Sequence, residues 1–277
     1  MYKVMTSVIG GVAVILAMTT HAGGAGLPDI LGIQLGMPAR DAHAKLQAQI
    51  PKNQIQVTST NLPTIEKPVI TTFRSAPAQQ IMMGMEGDLV TVDVTLPPNK
   101  QAVWRVNREH FFPDKGIPKK TLLASLREKY GKESRAMGQS GRATTDDDQV
   151  VSLLWLMDEQ GRPSTLPPSS GGGVDPLSSC TSIVDGGNSA LIVESPPPTT
   201  FASADYKWCL SFFTAVTVHF IQNASVPELY ERMIVMVVSL PMGTRAGEAT
   251  KKWKQDIAEG QHKQELEKAK QQEKPKL

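Results

Sequence analysis

Residues that could do chemistry are scattered along this chain rather than gathered. Gly36-Met37-Pro38 turns into a stretch at helical spacing, the kind of loop-to-helix junction that can hold phosphate on free N–H groups. It carries neither G-x-G-x-x-G nor G-x-x-x-x-G-K-[ST], and Pro38 removes one donor. Gly138-Gln139-Ser140-Gly141 falls one residue short of the G-x-S-x-G nucleophile elbow. Asp146-Asp147-Asp148 offers the oxygens that Ca²⁺ takes, without EF-hand spacing. His43, His110, His219 and His262 stand far apart, so no zinc-binding pair is spelled out. Glu109 with Glu194, or Asp93 with Asp158, are carboxylates that could meet across a cleft as acid and base. Lys251, Lys252 and Lys254 flank Trp253 in a small basic cluster suited to an anionic membrane surface, diluted by the acids that follow. Met82, Met83, Met85, Met233 and Met236 could line an apolar pocket or fill a core. None of these stretches matches a cofactor or metal motif, and the expectation is that the protein binds neither.

The balance of charge excludes one class of partner. Lys+Arg 29 against Asp+Glu 27 leaves +2, which is no electrostatic footprint for nucleic acid. The start of the chain reads as a secretory signal over residues 1–22. Lys3 precedes the apolar run Val4–Met18, and Thr20-His21-Ala22 resembles an A-x-A cleavage site. The run is short for a membrane-spanning helix, which needs about 20 residues, so no stable membrane insertion is expected once the signal is cut. The expected location is periplasmic or secreted. Cys180 and Cys209 are the only cysteines, the number one disulfide needs in an exported chain. Such a bridge closes a loop whose cross-link stabilises by about 3–4 kcal/mol in the chain-entropy model.

The elements that must position these residues follow an internal echo. Gly36, Pro38 and Leu46 recur eighty residues on as Gly116, Pro118 and Leu126, each set opening a helical stretch. Pro is tolerated at a helix start, where its missing N–H has no partner to lose. Ala39, Ala42, Leu46 and Ile50 form one apolar stripe; Leu122, Leu123, Leu126 and Tyr130 form the other. The helices stop at Pro51 and Gly131. Extended segments follow each: 68–75, 80–85, 89–96 and 103–112 in the first half; 149–157, 212–221 and 233–240 in the second. The run Met233–Val238 is continuously apolar, as a central strand buried on both faces would be. The predicted fold is α+β: two duplicated helix-plus-antiparallel-sheet halves, 27–115 and 116–242. An insertion of about 162–209, rich in Pro, Ser and Gly, is tied by the cysteines, and 243–277 forms a charged C-terminal helix docked by Trp253 and Ile257.

The stretch DILGIQLGMPARDAHAKL, from Asp29 to Leu46, resembles the strand–Gly-Met–helix opening of small bacterial envelope lipoproteins of the SmpA/OmlA type. It is also similar to the tandem helix-plus-sheet units of β-lactamase-inhibitor-like proteins. LLASLREKYGKES and VVSLLWLMDEQG resemble segments of proteobacterial periplasmic proteins with the same layout. The shared positions, Gly36, Met37 and Leu46, then Leu126, Tyr130 and Gly131, are structural. The resemblance implies a binding or scaffolding role without catalysis. No cysteine follows the leader, so the lipid anchor of the lipoprotein type has no attachment point. The expected function is therefore that of an exported, non-enzymatic protein that binds an envelope or secreted protein on its sheet. A hydrolase or glycan-active enzyme built on dispersed carboxylates, and a small-molecule binder with a Met-lined pocket, are the alternatives.

Overall fold

The structure is a computed structural model that describes residues 27–50, 54–75, 87–113, 116–164, 180 and 209–272. The signal, the extended segment 80–85 and most of the 162–209 insertion lie outside the described residues. The architecture is α+β. A short hairpin, β1 (Asp29–Ile30) and β2 (Ile33–Gln34), leads into helix α1 (Ala39–Gln49). Strands β3 (Ile55–Thr60), β4 (Val69–Ser75), β5 (Gly87–Val94) and β6 (Val103–Phe111) follow. The short strand β7 (Ile117–Pro118) leads into α2 (Lys119–Tyr130). Then come β8 (Arg135–Gly138), β9 (Val150–Met157), β10 (Thr214–Gln222) and β11 (Leu229–Ser239). Helix α3 (Leu240–Gln272) closes the order; it begins three residues before the predicted boundary, directly at the end of β11.

One antiparallel sheet carries both halves, in the order β3-β4-β5-β6-β11-β10-β9-β8, with β7 also on β11. The last strand of each half therefore meets the other at the centre, and the first strands lie at the two edges. Burial of both faces explains the continuous apolar run of β11: Met233, Val235 and Val237 enter the main core, and Met236 and Val238 the core on the opposite face.

The two helix starts share their geometry. Pro38 and Pro118 cap α1 and α2 with nearly equal dihedrals, φ −56° and ψ 140°, and φ −57° and ψ 132°. Each Pro also bridges the strand that ends its own half: Pro38 pairs with Ala102 beside β6, and Pro118 with Leu229 of β11. The next N–H groups follow suit, Ala39 donating to the Gln101 carbonyl at 2.9 Å and Lys119 to the Glu228 carbonyl at 3.1 Å. The glycines ahead of them turn at positive φ, 77° for Gly36 and 113° for Gly116, a region that penalises side chains. At Gly116 space is closed as well, since a Cβ would lie 2.2 Å from the Tyr230 carbonyl oxygen.

Both helices cover the same sheet face. Leu46, Leu122, Leu123 and Leu126 pack with Phe73, Val90, Val92, Trp155, Val216 and Val235 in the main core. The β1–β2 hairpin joins that layer through Ile30 and Ile33. The opposite face holds a smaller core under the disulfide, where Cys180 and Cys209 pack with Trp104, Leu154, Phe213, Met236 and Leu240. The bridge is formed, with S–S 2.00 Å. Past its first turns α3 leaves the sheet: Trp253 docks on Leu62, Val69 and Leu96, and residues 258–270 are exposed.

Candidate functional site: the sheet face away from the helices

Beyond the disulfide core, the face opposite α1 and α2 is polar. Directly paired residues share a face, so the register defines three rows across it. Thr72, Asp93 and Arg105 lie in one row. Arg74, Thr91, Asn107, Met236 and Thr217 lie in the next. Leu89, Glu109, Ile234, His219 and Ser152 lie in the third. Most are partly exposed, and Arg74 is exposed.

The charges in these rows are held rigidly. Arg105 Nε donates to Asp93 Oδ2 at 2.6 Å, with both side chains largely buried, and the Thr72 hydroxyl donates to Asp93 Oδ1 at 2.9 Å. Arg232 donates to Glu109 at 2.6 Å and stacks its guanidinium over Phe111. Between these pairs sit two buried polar atoms with no hydrogen-bond partner, Asn107 Oδ1 and Thr217 Oγ1. Both atoms are closed to solvent and find no partner among the described residues, so they are covered groups and not contact points for a docking surface.

A second charged group lies on the helix side. His110 Nδ1 is 2.8 Å from Asp88 Oδ1, and Arg108 grips the same carboxylate through two N–H groups at 2.6 and 3.0 Å. Burial would raise the Asp88 carboxyl, but the hydrogen bonds and charges of His110 and Arg108 outweigh it and hold it at about 2. Among the described residues no hydroxyl or thiol hydrogen-bonds to His110, so the pair orients no nucleophile. Register alone brings the pair together, since Asp88 sits directly opposite His110. The sequence marks only His110 as a candidate; Asp88 and Arg108 carry no signal there, because the pairing depends on strand register.

Of the carboxylate pairs expected from the sequence, Asp93 and Asp158 do not meet, and Glu109 with Glu194 falls partly outside the described residues. Asp93 is on β5 and Asp158 follows β9, with β6, β11 and β10 between them, and Asp158 is bound to Arg162 at 2.6 Å. Glu109 is bound to Arg232, and Glu194 lies outside the described residues. The carboxyls with resolved shifts all move down. In Glu133 and Asp147 the dominant cause is hydrogen bonding from Arg127, which donates to both. In Asp158 it is the backbone N–H of Arg162. None of the four is a proton donor at neutral pH.

The remaining candidates take structural places. The Ala39 and Lys119 N–H groups that an anion would need are occupied by carbonyls. Ser140 lies in the turn closed by Gly141 N–H on the Gly138 carbonyl. Asp146 caps a 3-10 turn at Asp147–Gln149, Asp147 holds Arg127, and Asp148 lies 3.8 Å from Lys120. Among the described residues no three His, Cys, Asp or Glu side chains gather as metal ligands do. His43 stacks on Phe73 at the core edge, and His262 is on the exposed part of α3. Lys251 and Lys252 are exposed beside the docked Trp253. Met233 packs on the helix side and Met236 on the opposite side, so they line no common pocket; Met82, Met83 and Met85 lie outside the described residues. Among the described residues no helix is long and apolar enough to cross a membrane. No protein family, curated protein or solved structure matches the chain.

Proposed function

We propose that this is an exported, non-enzymatic binding or scaffolding protein of the bacterial envelope, acting in the periplasm or after secretion. Its partner, an envelope or secreted protein, docks on the polar sheet face around Thr91, Asn107 and Glu109. One observation carries this reading: α1 and α2 cover one face, and the other, beside the disulfide core, presents ion pairs among partly exposed polar side chains. Preset charges give a docking surface orientation and discrimination more than raw affinity. The formed disulfide supports export.

We further infer that the sheet arose by duplication of one strand–helix–four-strand unit. The echoed Gly-x-Pro segments, their matching caps and the mirrored strand order support this. Joining two such units edge to edge produces one wide face where each alone would be narrow.

The test is crosslinking of the exported chain in envelope extracts, with Arg74→Glu and Thr91→Arg variants beside the wild type. Capture of a defined protein that both variants lose is the expected result. Capture of nothing, or capture that both variants retain, overturns the proposal.

A further inference from the structure

The two edges of the sheet are finished differently. At β8 the chain folds back on its own edge. Met137 bridges Ala143, the Gly138 N–H donates to the Arg142 carbonyl at 2.8 Å, and the Thr144 N–H to the Ala136 carbonyl at 2.9 Å. At the opposite edge, β3 pairs with β4 alone among the described residues. An edge strand presents alternate N–H and C=O groups outward, and proteins usually blunt such an edge with Lys, Pro or a covering segment. β3 reads Ile-Gln-Val-Thr-Ser-Thr, with no charge, Pro or Gly. Its residues 56–59 are exposed, and Val57 is 48% exposed, one of few large apolar side chains in that state among the described residues. A register shift between Thr58 and Ser59 still leaves Ile55–Thr58 as a regular run.

We propose that β3 pairs antiparallel with β3 of a second copy of this chain, across a two-fold axis. Three features favour a second copy over a foreign strand. In a two-fold antiparallel pair the residue on the axis lies against its own copy, so a charge there would meet a like charge; β3 carries none. An uncharged strand also offers nothing to a charged partner. Finally, only one edge is open among the described residues, so the pairing closes at a dimer instead of extending into a fibre. With the axis at Val57, the two Val57 side chains lie opposite each other on the helix side of a sheet continuous through both copies.

Six residues of strand bury less than a stable interface needs, so the dimer is weak, with a Kd on the order of 100 µM. Sedimentation equilibrium of the purified chain over a concentration series tests this, together with hydrogen exchange at the β3 amides. The expected result is reversible dimerisation, with β3 protection rising as concentration rises. Val57→Lys and Thr58→Lys, on opposite faces of the strand, each weaken it at least about tenfold while leaving the melting curve of the dilute monomer in place. A chain that stays monomeric through millimolar concentration overturns the proposal. So does a dimer that both variants leave intact, or β3 protection that appears only when an extended peptide of another protein is added.

Discussion

Asp88 shows how one side chain ties the sheet to solution conditions. Its folded pKa, about 2, lies below the ordinary value of 3.8. A group depressed in this way stabilises the fold above its unfolded pKa and loses that contribution as pH falls through its folded pKa. The loss falls between about pH 4 and pH 2 and amounts to about 2 kcal/mol. Asp88→Asn should remove this part of the acid transition in chemical denaturation. It should also cost about 1–3 kcal/mol at pH 7, because Arg108 loses its carboxylate. The glycines ahead of the helices make a second pair of predictions at this scale. Gly36→Ala meets no atom closer than Met242 Cε at 3.9 Å and should cost only the left-handed backbone penalty, about 1 kcal/mol. Gly116→Ala adds a clash with the Tyr230 carbonyl and should cost at least about 3 kcal/mol in thermal melts. The sequence displayed these residues without their neighbours. Strands β5 and β6 are readable on either side of Pro97-Pro98-Asn99, yet a register shift between Asp93 and Val94 defeats counting back from the turn. The contacts of Asp88 with His110 and of Asp93 with Arg105 depend on that register.

Elements were legible where burial imposes a period. The stripes of α1 and α2 are buried as their 3.6-residue spacing requires, and β11 is apolar throughout its central stretch because both of its faces are buried. The edge strands escaped notice for the opposite reason. Ile55–Thr60 buries little, and Arg135–Gly138 alternates in burial over only four residues whose buried members are the small Ala136 and Gly138, so neither shows a sequence alternation long enough to mark a strand. Helix α3 divides into a docked part and a solvated part, and that division predicts opposite outcomes. Trp253→Ala strips the cluster of Leu62, Val69 and Leu96 of its cover and should lower stability by about 2 kcal/mol. Residues 261–270 are all exposed, and truncation after Gly260 should shift stability by less than about 0.5 kcal/mol in denaturant titrations.

At the scale of the whole molecule, one sheet runs through the chain: α1 and α2 fill one of its faces with apolar side chains, and the start of α3 packs with the disulfide core on the other, part of which is left open to solvent. There Asp93–Arg105 and the Glu109–Arg232 pair that spans β6 and β11 lie beside an apolar core under the disulfide, built mainly from β9–β11 with Trp104 of β6. The sequence conveyed the class of fold and the cysteine pairing, because hydrophobic period and cysteine number are local properties. It could not convey the face, since the rows of Thr91, Asn107 and Thr217 join strands far apart in the chain. The most direct test of the proposed role is site-specific photocrosslinking in the producing cell. One probe replaces Thr91, on the polar face; a control probe replaces the exposed Lys120 at the start of α2. The account predicts a discrete adduct with another protein from position 91 and none from position 120. No adduct at position 91, or the same adduct from both positions, would contradict it.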